Sequence, residues 1–505
     1  MKQTARPFTF SNRAAALLLL AVAVVYGLAA FRVARADSLW MDEVLAVWGA
    51  RSPDLPAVWS ALIHGSEFSP PAFPALLHGL VRAGLHSNLA MRLPSILATP
   101  LAAMAVALLV RRRSSWPVAT LAAAFLLVSP ISFGFAVQAR PYACALAVAA
   151  WALWAWDGLP DREPLAWRAI LIGALLSIAQ ALHFYSVLLI AGFAVAELGW
   201  SIAQRHVRWP VLAAIGAAGA SILAWRPIMR SAAAFSQAET WAPEFYGRPT
   251  PSALIADYVA LFSPGIVLVP LLGGLWIFFR QERLRSDAQP DTDPKLLAAA
   301  VLLTAYPAVV FLFALTISHS FVIRYTLPGV IGFALMLALV VDRFRNRKDL
   351  VALVLLAALL LVSLGSRAGI EQNPMRRDAL AVLAAAPGDL PIATGNGARY
   401  LEALEALPPH VTARMIFLSV PDTLSTDPTN QHEVERWSAI RPGALHLRDA
   451  ADFLCSTGPF LLFVDDSMHD DIPAWLKTRG VRVSWLGKGY ARLALVSGRT
   501  CASGR

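Results

Sequence analysis

Between Ala14 and Ser366 one pattern keeps returning: a run of about 20 mostly apolar residues, then a short polar break, often carrying Arg or Lys. A helix of that length spans the hydrocarbon of a bilayer, where every backbone N–H and C=O must be satisfied within the segment. About eleven runs qualify: 14–31, 93–110, 116–136, 141–157, 168–185, 186–203, 209–225, 260–279, 296–317, 326–341 and 350–366. They follow one another too closely for soluble domains to fit between them. Composition agrees, because 57% of residues are hydrophobic and 15% charged, far from the soluble average. The expected fold class is an α-helical polytopic membrane protein. The first run is long and no small-residue cleavage site follows it, which favours a retained span over a signal peptide.

A formal net charge of +10 invites a nucleic-acid reading, but the cations sit in short clusters between apolar runs, as orientation signals do. No nucleic-acid partner is expected. The N-terminal tail, Arg111 to Arg113, Arg162 with Arg168, Arg205 with Arg208, Arg280 to Arg285 and Arg343 to Lys348 fall in alternate loops and mark the cytoplasm. Residues 32–92, 137–140, 226–259, 318–325 and everything after 366 then face outward. Arg226, Arg230 and Arg324 are cations on that outer side, where orientation does not call for them.

Two outward segments are long. Residues 32–92 include an apolar stretch at 72–86 that is too short to span and carries His78, Arg82 and His86. It is expected as an amphipathic helix along the outer interface. After Arg367, short apolar runs at 415–420, 460–464 and 481–486 alternate with helix-like segments at 376–386 and 399–406, the signature of a small α/β domain. The chain thus divides into a membrane domain, 1–366, and an outer domain, 367–505. Cys455 and Cys501 of that domain either pair or remain thiols; pairing would stabilise by about 4 kcal/mol in the chain-entropy model. Asp465-Asp466 reads as a turn, and Cys144 as a small packing residue within a span.

Chemistry is most visible at Asp42-Glu43, adjacent acids just outside the first span. They are either charges favoured at a helix N-terminus or a general base at the membrane surface, where partial burial raises proton affinity. Arg140 and Arg324 lie at outer ends of spans beside Tyr142 and Tyr325. Interfacial snorkelling explains many such pairs, but a guanidinium fork also suits a phosphate. His64 and Glu67, three apart, would share one face of a short helix and offer two ligands to a divalent cation; a solvated pair is the plainer reading. No other cofactor is indicated. His183 is a weaker substrate contact, Arg92 reads as orientation or packing, and Trp40, Trp48 and Trp59 read as interface anchors.

Several motifs occur in a recognisable order: SLWMDE (38–43), SPPAFPALLHGL (69–80), AMRLPSILA (90–98), QARPYACAL (138–146), ALHFYSVLL (181–189), VIRYTLPG (322–329) and PMRRDALAVLAAAPGD (374–389). Together they resemble the C-type (GT-C) membrane glycosyltransferases, particularly glycosyltransferase family 39, which includes protein O-mannosyltransferases and lipid A aminoarabinose transferases. The sequence departs from that pattern at Ser69, where many relatives have His before the two prolines, and at Gln138, often Glu. The resemblance implies a bacterial inner-membrane enzyme that uses a polyprenyl-phosphate sugar donor and a lipid, glycan or protein acceptor, reacting at the outer face with inversion. It implies Asp42 as base, with Glu43 placing the acceptor or tuning its neighbour, and Arg140 and Arg324 on the leaving phosphate.

Two other classes compete. A transporter or flippase for the same lipid would place ionisable residues midway along broken helices, often in repeated halves, and neither feature is seen in the sequence. A noncatalytic scaffold would leave Asp42 and the two arginines without a joint role.

Overall fold

The computed structural model describes residues 11–160, 166–240, 246–263, 265–279, 293–365, 374–421, 429–468 and 470–497. Arg162, the cluster at 280–285, Arg367 and Cys501 lie outside them, and with Cys501 the question of its pairing.

Among the described residues each of the eleven apolar runs is mainly helical, but 116–136 and 260–279 are each divided between two helices rather than forming one. The first is α1 (Asn12–Ala36), whose start is capped by the Ser11 hydroxyl accepting from the Ala14 N–H at 3.1 Å. The long first loop then forms α2 (Met41–Ala50), α3 (Leu55–Ile63) and α4 (Ala72–Arg82) before α5 (Asn88–Arg111) re-enters the bundle. The run 116–136 is two helices, α6 (Trp116–Val128) and α7 (Pro130–Ala136), bent by 60°. Pro130 causes the break, since it has no N–H for the helical ladder and opens a new helix instead. Then come α8 (Tyr142–Asp157), α9 (Ala166–Leu182) and α10 (Ser186–Ala203). Later helices include Trp209–Ala220, Pro251–Phe262, Leu268–Phe278, Pro294–Phe313, Gly329–Asp342 and Lys348–Gly365. By length and hydropathy five helices among the described residues suffice to cross a membrane unaided, or seven if each bent pair is one span. The apolar helices α8, α9 and Gly329–Asp342 are shorter. The chain is a multi-pass membrane protein.

Small residues let these helices approach closely. At Gly332 an added Cβ would lie 2.3 Å from the Thr304 backbone nitrogen and 2.5 Å from the Leu303 carbonyl carbon. Backbone cannot rotate aside as a side chain can, so the helices Pro294–Phe313 and Gly329–Asp342 must part to admit a methyl. Gly332→Ala is expected to destabilise by about 1–3 kcal/mol, read as a lower unfolding temperature of detergent-purified protein.

Among the described residues the C-terminal domain holds a six-stranded sheet: β1 (Ile392–Thr394), β2 (Met415–Ser419), β3 (Leu447–Asp449), β4 (Phe460–Asp465), β5 (Val483–Trp485) and β6 (Ala491–Val496), in the order β3-β2-β1-β4-β6-β5. The four strands from β3 to β4 run parallel, and β6 is antiparallel to both β4 and β5. The runs 415–420, 460–464 and 481–486 read from the sequence contain β2, β4 and β5, and the structure adds β1, β3 and β6 to them. Asp465-Asp466 does begin a turn, with the Ser467 N–H on Asp465 at 2.9 Å. Asp465 also clamps buried Arg399, whose Nε donates to it at 2.6 Å.

This domain docks on the first loop. One apolar core joins Leu39, Val44, Val47 and Phe73 to Leu383, Tyr400 and Trp437. Around it the Met41 N–H donates to Glu402 at 3.0 Å, and Glu405 accepts from Trp48 Nε1 at 2.9 Å and twice from Arg51 at 2.8 Å. Trp48, read from sequence as an interface anchor, is here a fastening between the loop and the sheet domain. Segment 72–86 is helical over Ala72–Arg82 and buries Phe73, Leu77 and His78, the last bonding the Ala50 carbonyl at 2.9 Å.

Candidate active site at the end of the bundle beside the sheet domain

Asp42 and Glu43 occupy the first turn of α2. Neighbours on a helix point about 100° apart, and these two part company completely. Glu43 turns inward and is fully buried. Its Oε1 accepts from Arg92 Nε at 2.7 Å and from the Ala139 N–H at 2.6 Å; its Oε2 accepts from Arg92 Nη2 at 2.6 Å and from the Trp40 N–H at 3.1 Å. The remaining Arg92 donors reach the carbonyls of Ala34, Asp37 and Ser38. The pair ties the end of α1, the start of α2, α5 and the 137–141 turn into one joint. No open side of Glu43 is left beside Asp42.

Asp42 faces the other way. Its Oδ2 lies 3.4 Å from Arg324 Nη1 and 3.9 Å from Arg140 Nη2. Arg140 comes from the turn between α7 and α8, and Arg324 from a single 3-10 turn, Ile323–Tyr325, so three segments distant in sequence converge. Arg140 is held on several sides: Nη1 donates to the Asp42 carbonyl at 3.0 Å and to Glu67 at 2.6 Å, and Nη2 to the Tyr142 hydroxyl at 3.3 Å. Its Nε has no hydrogen-bond partner among the described residues. Arg324 Nη2 donates to the Tyr246 hydroxyl at 3.0 Å, and its guanidinium sits 5.5 Å from the Tyr325 ring.

Aromatic rings wall this cluster. His183 contacts Tyr142, Tyr185 and Tyr325 at centroid distances of 5.5, 5.8 and 5.6 Å, and Tyr185 stacks on Tyr325 at 4.0 Å. Tyr185 lay inside a motif read from the sequence but was not singled out. Tyr246 was missed altogether, since its loop carries no pattern that marks it.

Glu67 and His64 separate. The short helix expected to present both stops at Ile63, and Gly65, at φ 81°, turns the chain. His64 is exposed with Nδ1 2.7 Å from the Ser60 carbonyl, whereas Glu67 is buried between Arg140 and the Ser69 hydroxyl, which donates to it at 2.7 Å. Burial raises the proton affinity of Glu67, and the Arg140 charge opposes that only in part. Among the described residues no three His, Cys, Asp or Glu side chains group as a metal site. A cavity of about 420 Å³ between α2 and the sheet domain is lined by Trp48, Glu405, Trp437 and Arg441, with none of the cluster above on its walls.

A carboxylate beside two guanidiniums, one with a free donor, can take a proton from a nucleophile while an anion is held next to it.

No family model and no curated protein matches the chain in sequence. Solved structures do match in shape. ArnT from Cupriavidus metallidurans in the apo state has a TM-score of 0.55 at 12% identity, covering 97% of this chain and 98% of that one. The same protein bound to undecaprenyl phosphate has a TM-score of 0.51 at 12% identity, covering 98% and 100%. From the first span to the sheet domain, this chain therefore has the fold of ArnT, in agreement with the resemblance carried by its ordered motifs.

Proposed function

We propose that the protein is an inverting glycosyltransferase of the bacterial cytoplasmic membrane, with its N-terminus in the cytoplasm and its sheet domain outside. It moves a sugar from a polyprenyl-phosphate donor to a hydroxyl- or amine-bearing acceptor. The single observation that carries this reading is the meeting of Asp42 with Arg140 and Arg324. Asp42 removes the acceptor proton, and the freed lone pair attacks the anomeric carbon from the face opposite the phosphate. The bond between that carbon and the phosphate oxygen breaks, its electrons stay on the phosphate, and Arg140 and Arg324 hold the resulting charge. Glu43 acts at a distance from the reacting atoms by fixing α2 through Arg92. That ArnT binds undecaprenyl phosphate within the same fold makes this lipid the natural first probe.

The test is consumption of a panel of polyprenyl-phosphate sugars by purified protein, with Asp42→Asn alongside. Absence of turnover with every donor and acceptor class would overturn the reading in favour of lipid binding without chemistry. Arg324→Ala removes a charged donor that is one-fifth exposed, so its dissociation constant for undecaprenyl phosphate should rise about 10- to 100-fold. An unchanged constant would take Arg324 out of the phosphate site.

A further inference from the structure

The helix Thr429–Ile440 of the sheet domain lies against residues 65–68, the segment that presents Glu67 to Arg140. Trp437 Nε1 donates to the Ser66 carbonyl at 3.2 Å, the Arg436 guanidinium stands 4.7 Å over the Phe68 ring, and Trp437 meets Trp48 edge-on at 5.4 Å. One turn earlier on this helix is Glu433. Its side chain is 7% exposed, and Oε1 lies 2.8 Å from Arg436 Nη2. Its Oε2 is buried and has no hydrogen-bond partner among the described residues.

Native structures seldom leave a buried carboxyl oxygen unsatisfied, and a bound ligand is one way the missing partner is supplied. The packing of the Glu433 helix identifies which site is concerned: the helix rests on residues 65–68, and from that segment Glu67 accepts from Arg140, which also donates to the Asp42 carbonyl. We propose that Glu433 is a substrate-binding residue contributed by the sheet domain, whose unsatisfied oxygen takes a hydroxyl group of the transferred sugar or of the acceptor beside Asp42. The inference rests on the glycosyl-transfer reading above.

The protonation chemistry suits this role. Burial pushes Glu433 up to about 7, with Asp42 adding to the rise and Arg436 and Arg140 opposing it. Near neutrality the carboxyl then both donates and accepts, as pairing with a hydroxyl requires. The same shift fixes a sign: a carboxyl whose folded value lies above its unfolded one costs stability as pH rises from about 4.5 to about 7. Glu433→Gln, neutral at every pH, should therefore unfold at a temperature no lower than wild type at pH 8.

The full-length protein, Glu433→Gln and Glu433→Ala are compared in three measurements: affinity for undecaprenyl phosphate, KM for the sugar-bearing donor, and KM for the acceptor. Affinity for the sugar-free lipid should stay within about twofold of wild type. One Michaelis constant should rise about tenfold in Glu433→Ala and less in Glu433→Gln, whose amide still bonds a hydroxyl. A rise in the donor constant assigns the hydroxyl to the sugar, and a rise in the acceptor constant assigns it to the acceptor. Both constants within twofold of wild type would overturn the proposal, and so would a parallel loss of lipid affinity, which marks a structural role. Arg324→Ala separates the two failures: if it too binds undecaprenyl phosphate like wild type, the phosphate site itself is misplaced.

Discussion

Asp42→Asn is expected to leave a folded protein whose turnover is lower by about 100- to 10,000-fold, the usual worth of a general base. Asparagine keeps the shape of the side chain and loses its ability to accept a proton. Little in the fold depends on that charge. The side chain is 17% exposed, its contacts with Arg324 and Arg140 are 3.4 and 3.9 Å long, and the closer contact of Arg140 at 3.0 Å is to the Asp42 backbone carbonyl, which the substitution retains. Two readouts are needed: donor-lipid consumption under saturating acceptor, and the unfolding temperature of the same preparation. Turnover within tenfold of wild type would remove Asp42 as the base. A collapse in stability would show instead that its pairing with the two arginines is structural.

One residue further along, the expected outcome reverses. Glu43→Ala strips the partner from Arg92, which is 1% exposed, and it removes the acceptor for the Ala139 and Trp40 N–H groups. Breaking one side of a buried ion pair costs about 3–5 kcal/mol. The substitution should therefore appear as loss of monodisperse protein or a large fall in unfolding temperature, and any loss of activity should follow the loss of fold. Arg92→Ala should match it, and the double variant should cost less than the sum, because each single change leaves the other charge stranded. If Glu43→Ala unfolds like wild type but fails to turn over, Glu43 belongs to the chemistry after all.

The contrast between these adjacent acids shows where sequence reading stops. Both carry the same charge at the start of the same helix, and nothing in SLWMDE distinguishes them. Only the packing of α5 against the end of α1 decides that position 43 meets a guanidinium while position 42 looks into the cluster. His64 and Glu67 make the same point. Spacing of three suggests a shared helical face, but the helix has already ended, and Glu67 is claimed by an arginine 73 positions away. Glu433 was out of reach of pattern altogether, since its helix is polar and the trait that marks it, a buried oxygen left unsatisfied beside Arg436, arises only from packing.

What the sequence by itself determined is the part of the protein that depends on periodicity and solvent. The apolar runs become helices because a bilayer accepts little else, and the short apolar stretches after residue 373 become strands of a sheet domain. Tertiary structure alone decided which charges meet. Residues 42, 140 and 324 are brought together by helix packing over long separations, and whether a buried carboxyl works as a fastening or as a reactive group depends on how many of its lone pairs that packing leaves unsatisfied.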